Sequence, residues 1–92
     1  MNVDNPRLKR MQWHSRRGML ELDLLLAPYA ANCLQIMSDA DLADYEALLL
    51  EEDQDLFLWF TGRAEAPEPH LARQVERILA FSATTDAGGQ AL

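Results

Sequence analysis

A single cysteine, Cys33, is all the thiol chemistry in this chain of 92 residues, so no disulfide can close within it and no cysteine metal cluster can form. A thiolate nucleophile would want a histidine beside it. The chain has two, His14 and His70, but no signature brings either to Cys33, which reads as a small buried or half-buried residue. Nor do the histidines have a second histidine or cysteine at metal-ligand spacing. Absent too are strand-like alternation, an internal repeat, a glycine loop to cradle phosphate and a Ser/His/Asp arrangement. No apolar run approaches the ~20 residues needed to span a bilayer. The longest, Leu20 to Ala31, is broken by Glu21, Asp23 and Pro28, and no apolar segment follows the basic residues near the N-terminus as in a secretory signal. A soluble, cytoplasmic domain without membrane insertion is the expectation.

Positive charge is scarce, with 8 Lys and Arg against 15 Asp and Glu and a net charge of −7. Its distribution matters more than its total. Arg7, Lys9, Arg10, Arg16 and Arg17 precede Gly18 with only Asp4 against them, whereas Arg63, Arg73 and Arg77 face fourteen acids beyond it. A basic end on an acidic body argues against general affinity for a phosphate backbone, so nucleic acid is not an expected ligand. What is present is globular: 49% hydrophobic and 25% charged residues suit one small domain with one core.

The apolar spacing is helical throughout. Asn5 before Pro6 predicts an N-cap with proline in the first turn, opening a helix through Leu8 and Met11 toward Trp13, read as a core or rim residue in preference to an exposed recognition residue. A second helix is expected from Ser15 or Arg16 past Leu26, with a kink or an end at Pro28, after which Tyr29 to Met37 continues it or forms a separate short helix. Ser38 with Asp41 resembles a capping box and starts a third helix with the stripe Leu42, Tyr45, Leu48 and Leu49; Asp39, Asp44, Glu46 and Glu51 read as its solvated face. Asp53 or Asp55 caps a fourth helix, Leu56 to Phe60, that stops at Gly62, with Trp59 or Phe60 packing against the second helix or facing a partner. Leu71, Val75, Ile78 and Leu79 mark the last helix, with His70 a surface residue. Periodicity ends at Ser82. The expected architecture is an all-α bundle of four to five helices over residues 1–82, followed by a disordered tail over 83–92.

Against this helical background one stretch stands out, Trp13-His14-Ser15-Arg16-Arg17-Gly18-Met19-Leu20-Glu21-Leu22-Asp23. If the second helix starts here, Arg16 and Arg17 lie at its amino end, where the helix dipole disfavours positive charge. Glu21 could pair with Arg17 four residues earlier, a surface contact worth ~0.3–0.5 kcal/mol, or both could serve a partner. Gly18 marks a turn or allows another backbone to approach.

This stretch, Trp13-x-x-Arg16-Arg17-Gly18-Met19-x-Glu21-Leu22-Asp23, resembles the RGxxE signature of the succinate dehydrogenase flavinylation factor family, small bacterial and mitochondrial assembly factors of complex II. Downstream, Asp53-x-Asp55-Leu56-Phe57-x-Trp59 is similar to that family's acidic-aromatic segment. The resemblance runs from about Leu8 to Phe81 and implies an all-α, five-helix fold. It implies an assembly chaperone, not an enzyme, that binds the flavoprotein subunit of succinate dehydrogenase, and that of fumarate reductase. There it promotes covalent attachment of FAD to a histidine of that subunit. FAD is then carried by the partner and no cofactor is bound stably by this chain. The partner-binding residues it implies are Arg16, Arg17, Gly18, Glu21, Asp53, Asp55 and Trp59; Asp53 and Asp55 read equally as caps, Trp59 as support, and His14 and Ser15 as filling variable positions. A monomer forming a one-to-one complex is expected. A different class stays open beside it, a small acidic antitoxin-like regulator that neutralises a basic protein. An enzyme using Glu21 as acid or base is least favoured, since one carboxylate on a small helical domain offers no evident substrate pocket.

Overall fold

A computed structural model describes residues 5–89 of the chain, with side chains through residue 84. The all-α expectation holds. Among the described residues there are five α-helices, α1 Pro6–His14, α2 Leu20–Cys33, α3 Asp39–Leu49, α4 Asp53–Phe60 and α5 Pro69–Gly89, a 3-10 turn at Leu34–Ile36, and no strand.

Local chemistry accounts for most of the boundaries. The Asn5 side chain accepts from the Arg7 and Leu8 N–H groups, and Pro6 occupies the first helical position, where a missing donor costs nothing. Ser38 accepts from Asp41 N–H at 3.1 Å to open α3. Gly62, at φ +75°, turns the chain out of α4 in the left-handed conformation that glycine adopts most readily. Of the two expected effects of Pro28, an end of the helix does not occur: α2 runs through Pro28 to Cys33. The stripe Leu22, Leu26, Tyr29 and Ala30 is buried, which places Pro28 on the far side of the helix. There the Leu24 carbonyl that loses its donor can turn to water.

α2 is the central element, packed against α1, α4 and α5, while α3 lies across α5 and α1. Leu22, Leu26, Leu34, Leu48, Leu56 and Ile78 are fully buried between them, each contributing about 1.5–3 kcal/mol of hydrophobic stabilisation. Tyr29 meets Tyr45 at a tilt and Phe81 edge to face, at 5.5 and 5.7 Å between ring centres. Phe60 is buried and Trp59 half-buried against the same core, as expected of the pair. Trp13 is not a core residue; it lies 74% exposed on α1. The acidic face of α3 is only partly solvated, because Glu46 pairs with Arg7 at 2.9 Å, Asp41 with Arg77 at 2.8 Å and Asp44 more loosely with Arg73. Gln74 interrupts the α5 stripe, buried and without a hydrogen-bond partner among the described residues. The backbone of α5 stays helical to Gly89, beyond the end of the periodicity; residues 90–92 of the expected tail lie outside the described residues.

Two buried hydroxyls tie α1 to α3. Ser15 Oγ donates to the Met11 carbonyl at 2.8 Å and lies 2.6 Å from Tyr45 Oη. Serine has one proton to give, so Tyr45 donates to Ser15. Burial pushes the Tyr45 hydroxyl up to about 12 from its ordinary 10. The unfolded chain ionises first, so the stability that depends on a neutral Tyr45 is fully present below about pH 10 and is lost as pH rises toward 12. Helical circular dichroism and tyrosinate absorbance, followed together through that interval, should change in step for Tyr45, and Tyr45→Phe should shift the alkaline transition upward. Ionisation of every tyrosine near pH 10 with the helices intact would contradict this.

Candidate partner-binding site

The turn between α1 and α2 is organised by one guanidinium. Arg17 Nη1 donates to the His14 carbonyl at 3.0 Å and to the Leu49 carbonyl at 2.8 Å, Nη2 to the Glu51 carbonyl at 2.7 Å, and Nε to Asp53 Oδ1 at 2.8 Å. Its side chain is only 13% exposed. The Arg17 N–H donates to Asp23 Oδ1 in the first turn of α2. One residue therefore fastens the end of α1, the end of α3, the start of α4 and the start of α2.

This corrects the placement drawn from the sequence. α1 extends to His14, Ser15 is its C-cap and fully buried, and α2 begins only at Leu20. Ser15 is thus part of the core. Arg17 does not face the amino end of α2, nor does it pair with Glu21. Its charge meets the last carbonyls of α1 and α3, the helix ends where a cation is favoured and where backbone acceptors lack an internal partner. Asp53, for its part, does not cap α4. Glu52 holds the N-cap position, Asp53 is the first helical residue, and its carboxylate accepts from Arg17.

The expected site residues fall into three groups. Arg17 and Asp53 are joined and largely spent on the fold. Arg16, Gly18 and Glu21 are exposed around them, and among the described residues Arg16 and Glu21 make no ion pair. Gly18 has φ +87° with nothing within 4 Å of where a Cβ would stand, so the backbone conformation favours glycine while the space in front of it is open. Met19 and the Glu52-Asp53-Gln54 segment line a shallow hollow beside this turn. Asp55 and Trp59, one helical turn apart, share the opposite border of the α4 buried stripe from Asp53 and are not brought to the Arg17 face.

Sequence reasoning missed Ser15, Asp23, Tyr45 and the Leu49 and Glu51 carbonyls as the parts that build this turn. Asp23 stood in the motif without a role of its own; the others matter through a residue 30 or more positions away.

Comparison with known proteins bears on what such a turn serves. Residues 9–82 match the family described as flavinator of succinate dehydrogenase. The FAD assembly factor SdhE of Pseudomonas savastanoi pv. phaseolicola is 48% identical over 77 residues, covering 84% of this chain and 92% of that protein. The protein of the same name from Pseudomonas aeruginosa is 47% identical over 77 residues, 84% and 92% of the two chains. That from Vibrio cholerae is 38% identical over 73 residues, 79% and 85%.

Removing the clamp should cost more than a surface ion pair would. Arg17→Ala is expected to lower the unfolding free energy in urea by about 2–4 kcal/mol, because three carbonyls and a carboxylate lose one shared donor. Arg17→Lys, whose ammonium cannot span those four acceptors, should recover less than half of the loss. Asp53→Asn should cost no more than about 1 kcal/mol. Full stability in Arg17→Ala would show that the side chain is not holding the ends of α1 and α3 to the start of α4.

Proposed function

Because the chain belongs to the family of flavinators of succinate dehydrogenase, we propose that it binds the flavoprotein subunit of succinate dehydrogenase, and that of fumarate reductase, and promotes covalent attachment of FAD to a histidine of that subunit. The observation that carries this reading is the span of the family match, which takes in both the Arg17-Gly18-Glu21 turn and the Asp53 to Trp59 segment.

The chain acts as an assembly factor, forming a one-to-one complex in the cytoplasm. FAD stays with the partner, and the acceptor histidine is the partner's; neither His14 nor His70 bonds flavin. The work of this surface is to hold the partner in the geometry in which attachment proceeds. Gly18 lets the partner's backbone come close, since no side chain stands in the way. Glu21 and Arg16 offer opposite charges on either side of it for directional contacts. Arg17 and Asp53 act through the turn they hold rigid, so that little ordering is left for the moment of binding. Asp55 and Trp59, which lie on the other border of α4, make a separate contact with the partner. The acidic antitoxin-like alternative has no observation of its own behind it.

In-gel flavin fluorescence of the denatured flavoprotein reads covalent attachment directly. Cells lacking this gene should lose that fluorescence, wild type should restore it, and Glu21→Ala should restore it only in small part. Unchanged fluorescence on deletion would reject the proposal. Gly18→Arg should abolish binding with helicity intact, since a residue at that φ costs only about 1–2 kcal/mol, whereas Gly18→Asn, which tolerates the conformation, should retain measurable binding. An unfolded Gly18→Arg protein would instead make Gly18 a folding requirement.

A further inference from the structure

Solvent faces of helices in a monomeric domain are ordinarily polar, and a helix apolar on all sides is ordinarily buried on all sides. α2 departs from this. With 3.6 residues per turn, Leu22, Leu26, Tyr29 and Ala30 take its core side, and the opposite side carries Leu20, Leu24, Pro28 and Ala31. Leu20 and Leu24 are 67% and 64% exposed. Glu21 borders this strip on one side. On the other it passes into a groove between α1 and α2, whose α2 side is Ala27, Ala30 and Ala31 and whose α1 side is Lys9, Gln12, Trp13 and Arg16. Lys9, Gln12 and Trp13 share one face of α1, and Arg16 follows just past the helix's C-cap, Ser15.

Resting on the function proposed above, we infer that this strip and groove are a docking surface for the flavoprotein subunit, continuous with the Gly18 turn, and that they take a segment with apolar side chains flanked by carboxylates. Three observations carry it. Arg16 belongs both to the turn and to the groove, so a partner seated at Gly18 already lies at the groove's mouth. The exposed Leu20, Leu24 and Trp13 are the side chains whose desolvation anchors an interface. The groove wall is basic on a chain with net charge −7, and among the described residues Lys9 and Arg16 make no ion pair within the fold, so an acidic segment is the complementary occupant. A twofold dimer of this chain through the same face would set two such basic walls together.

The test measures the affinity of the purified chain for the purified flavoprotein subunit by calorimetry, beside the thermal unfolding midpoint of each variant. Leu24→Asp and Trp13→Ala should each weaken binding about tenfold or more with the midpoint unmoved, because both side chains are already in water. Leu24→Met should bind like wild type. The charge reversal K9E/R16E should weaken binding and flatten its dependence on salt. Ile36→Asp, at an equally exposed apolar residue beyond the far end of α2, should leave affinity unchanged. Wild-type affinity in both Leu24→Asp and Trp13→Ala, with Glu21→Ala still impaired, would overturn this inference and leave the proposed function standing. No binding by the wild-type chain would overturn both. Self-association of the wild type that Leu24→Asp abolishes would make a second copy the occupant and overturn it as well.

Discussion

The tertiary structure turns on the five hydrogen bonds made by Arg17. Helices end with unpaired carbonyls and begin with unpaired N–H groups, and in a small bundle several such ends meet where little water reaches them. A planar guanidinium can answer several acceptors at once, which a lysine cannot. Here the acceptors are carbonyls from the end of α1, the end of α3 and the α3–α4 connection, together with the Asp53 carboxylate at the start of α4, while the Arg17 N–H reaches Asp23 on α2. The buried Ser15 and Tyr45 hydroxyls secure the same turn from beneath. Loss of this point would leave four helix ends seeking partners separately.

A clamp of this kind also explains why the adjacent residues are free to face outward. With Arg17 and Asp53 turned inward, the turn presents Arg16, the bare Gly18 backbone and Glu21 in one fixed arrangement, next to an α2 whose outer side is apolar. The motif therefore divides its labour: arginine builds, glycine and glutamate present. A surface held in one arrangement before a partner arrives loses little conformational freedom on binding, and such freedom subtracts directly from affinity when it is lost.

How much of this could be read in advance depended on distance along the chain. The Asn5-Pro6 start, the Ser38 cap, the Gly62 exit and the apolar stripes of α3 and α5 were legible because each is a contract among residues within one or two turns. Pro28 left two outcomes open, a kink or an end, for the same local reason. Its cost inside a helix depends on whether the freed carbonyl can face water, and only the side on which α2 packs decides that. Trp13 misled because size and apolarity favour burial on average, yet whether a core has room is a property of the whole packing.

The sequence by itself determined an all-helical fold, the approximate place of each helix, and, by resemblance, the family and the two segments that mark it. Only the tertiary structure decided what the marked residues do. Arg17 looked misplaced beside a helix start. Folding brings residues 49, 51 and 53 to it and makes it a cation at two helix C-termini, where the dipole favours it. Asp53 changed from cap to ligand of that cation by the same approach. Electrostatic roles depend on what lies within a few ångströms, and across 30 or more residues of chain that neighbourhood exists only once the core has closed.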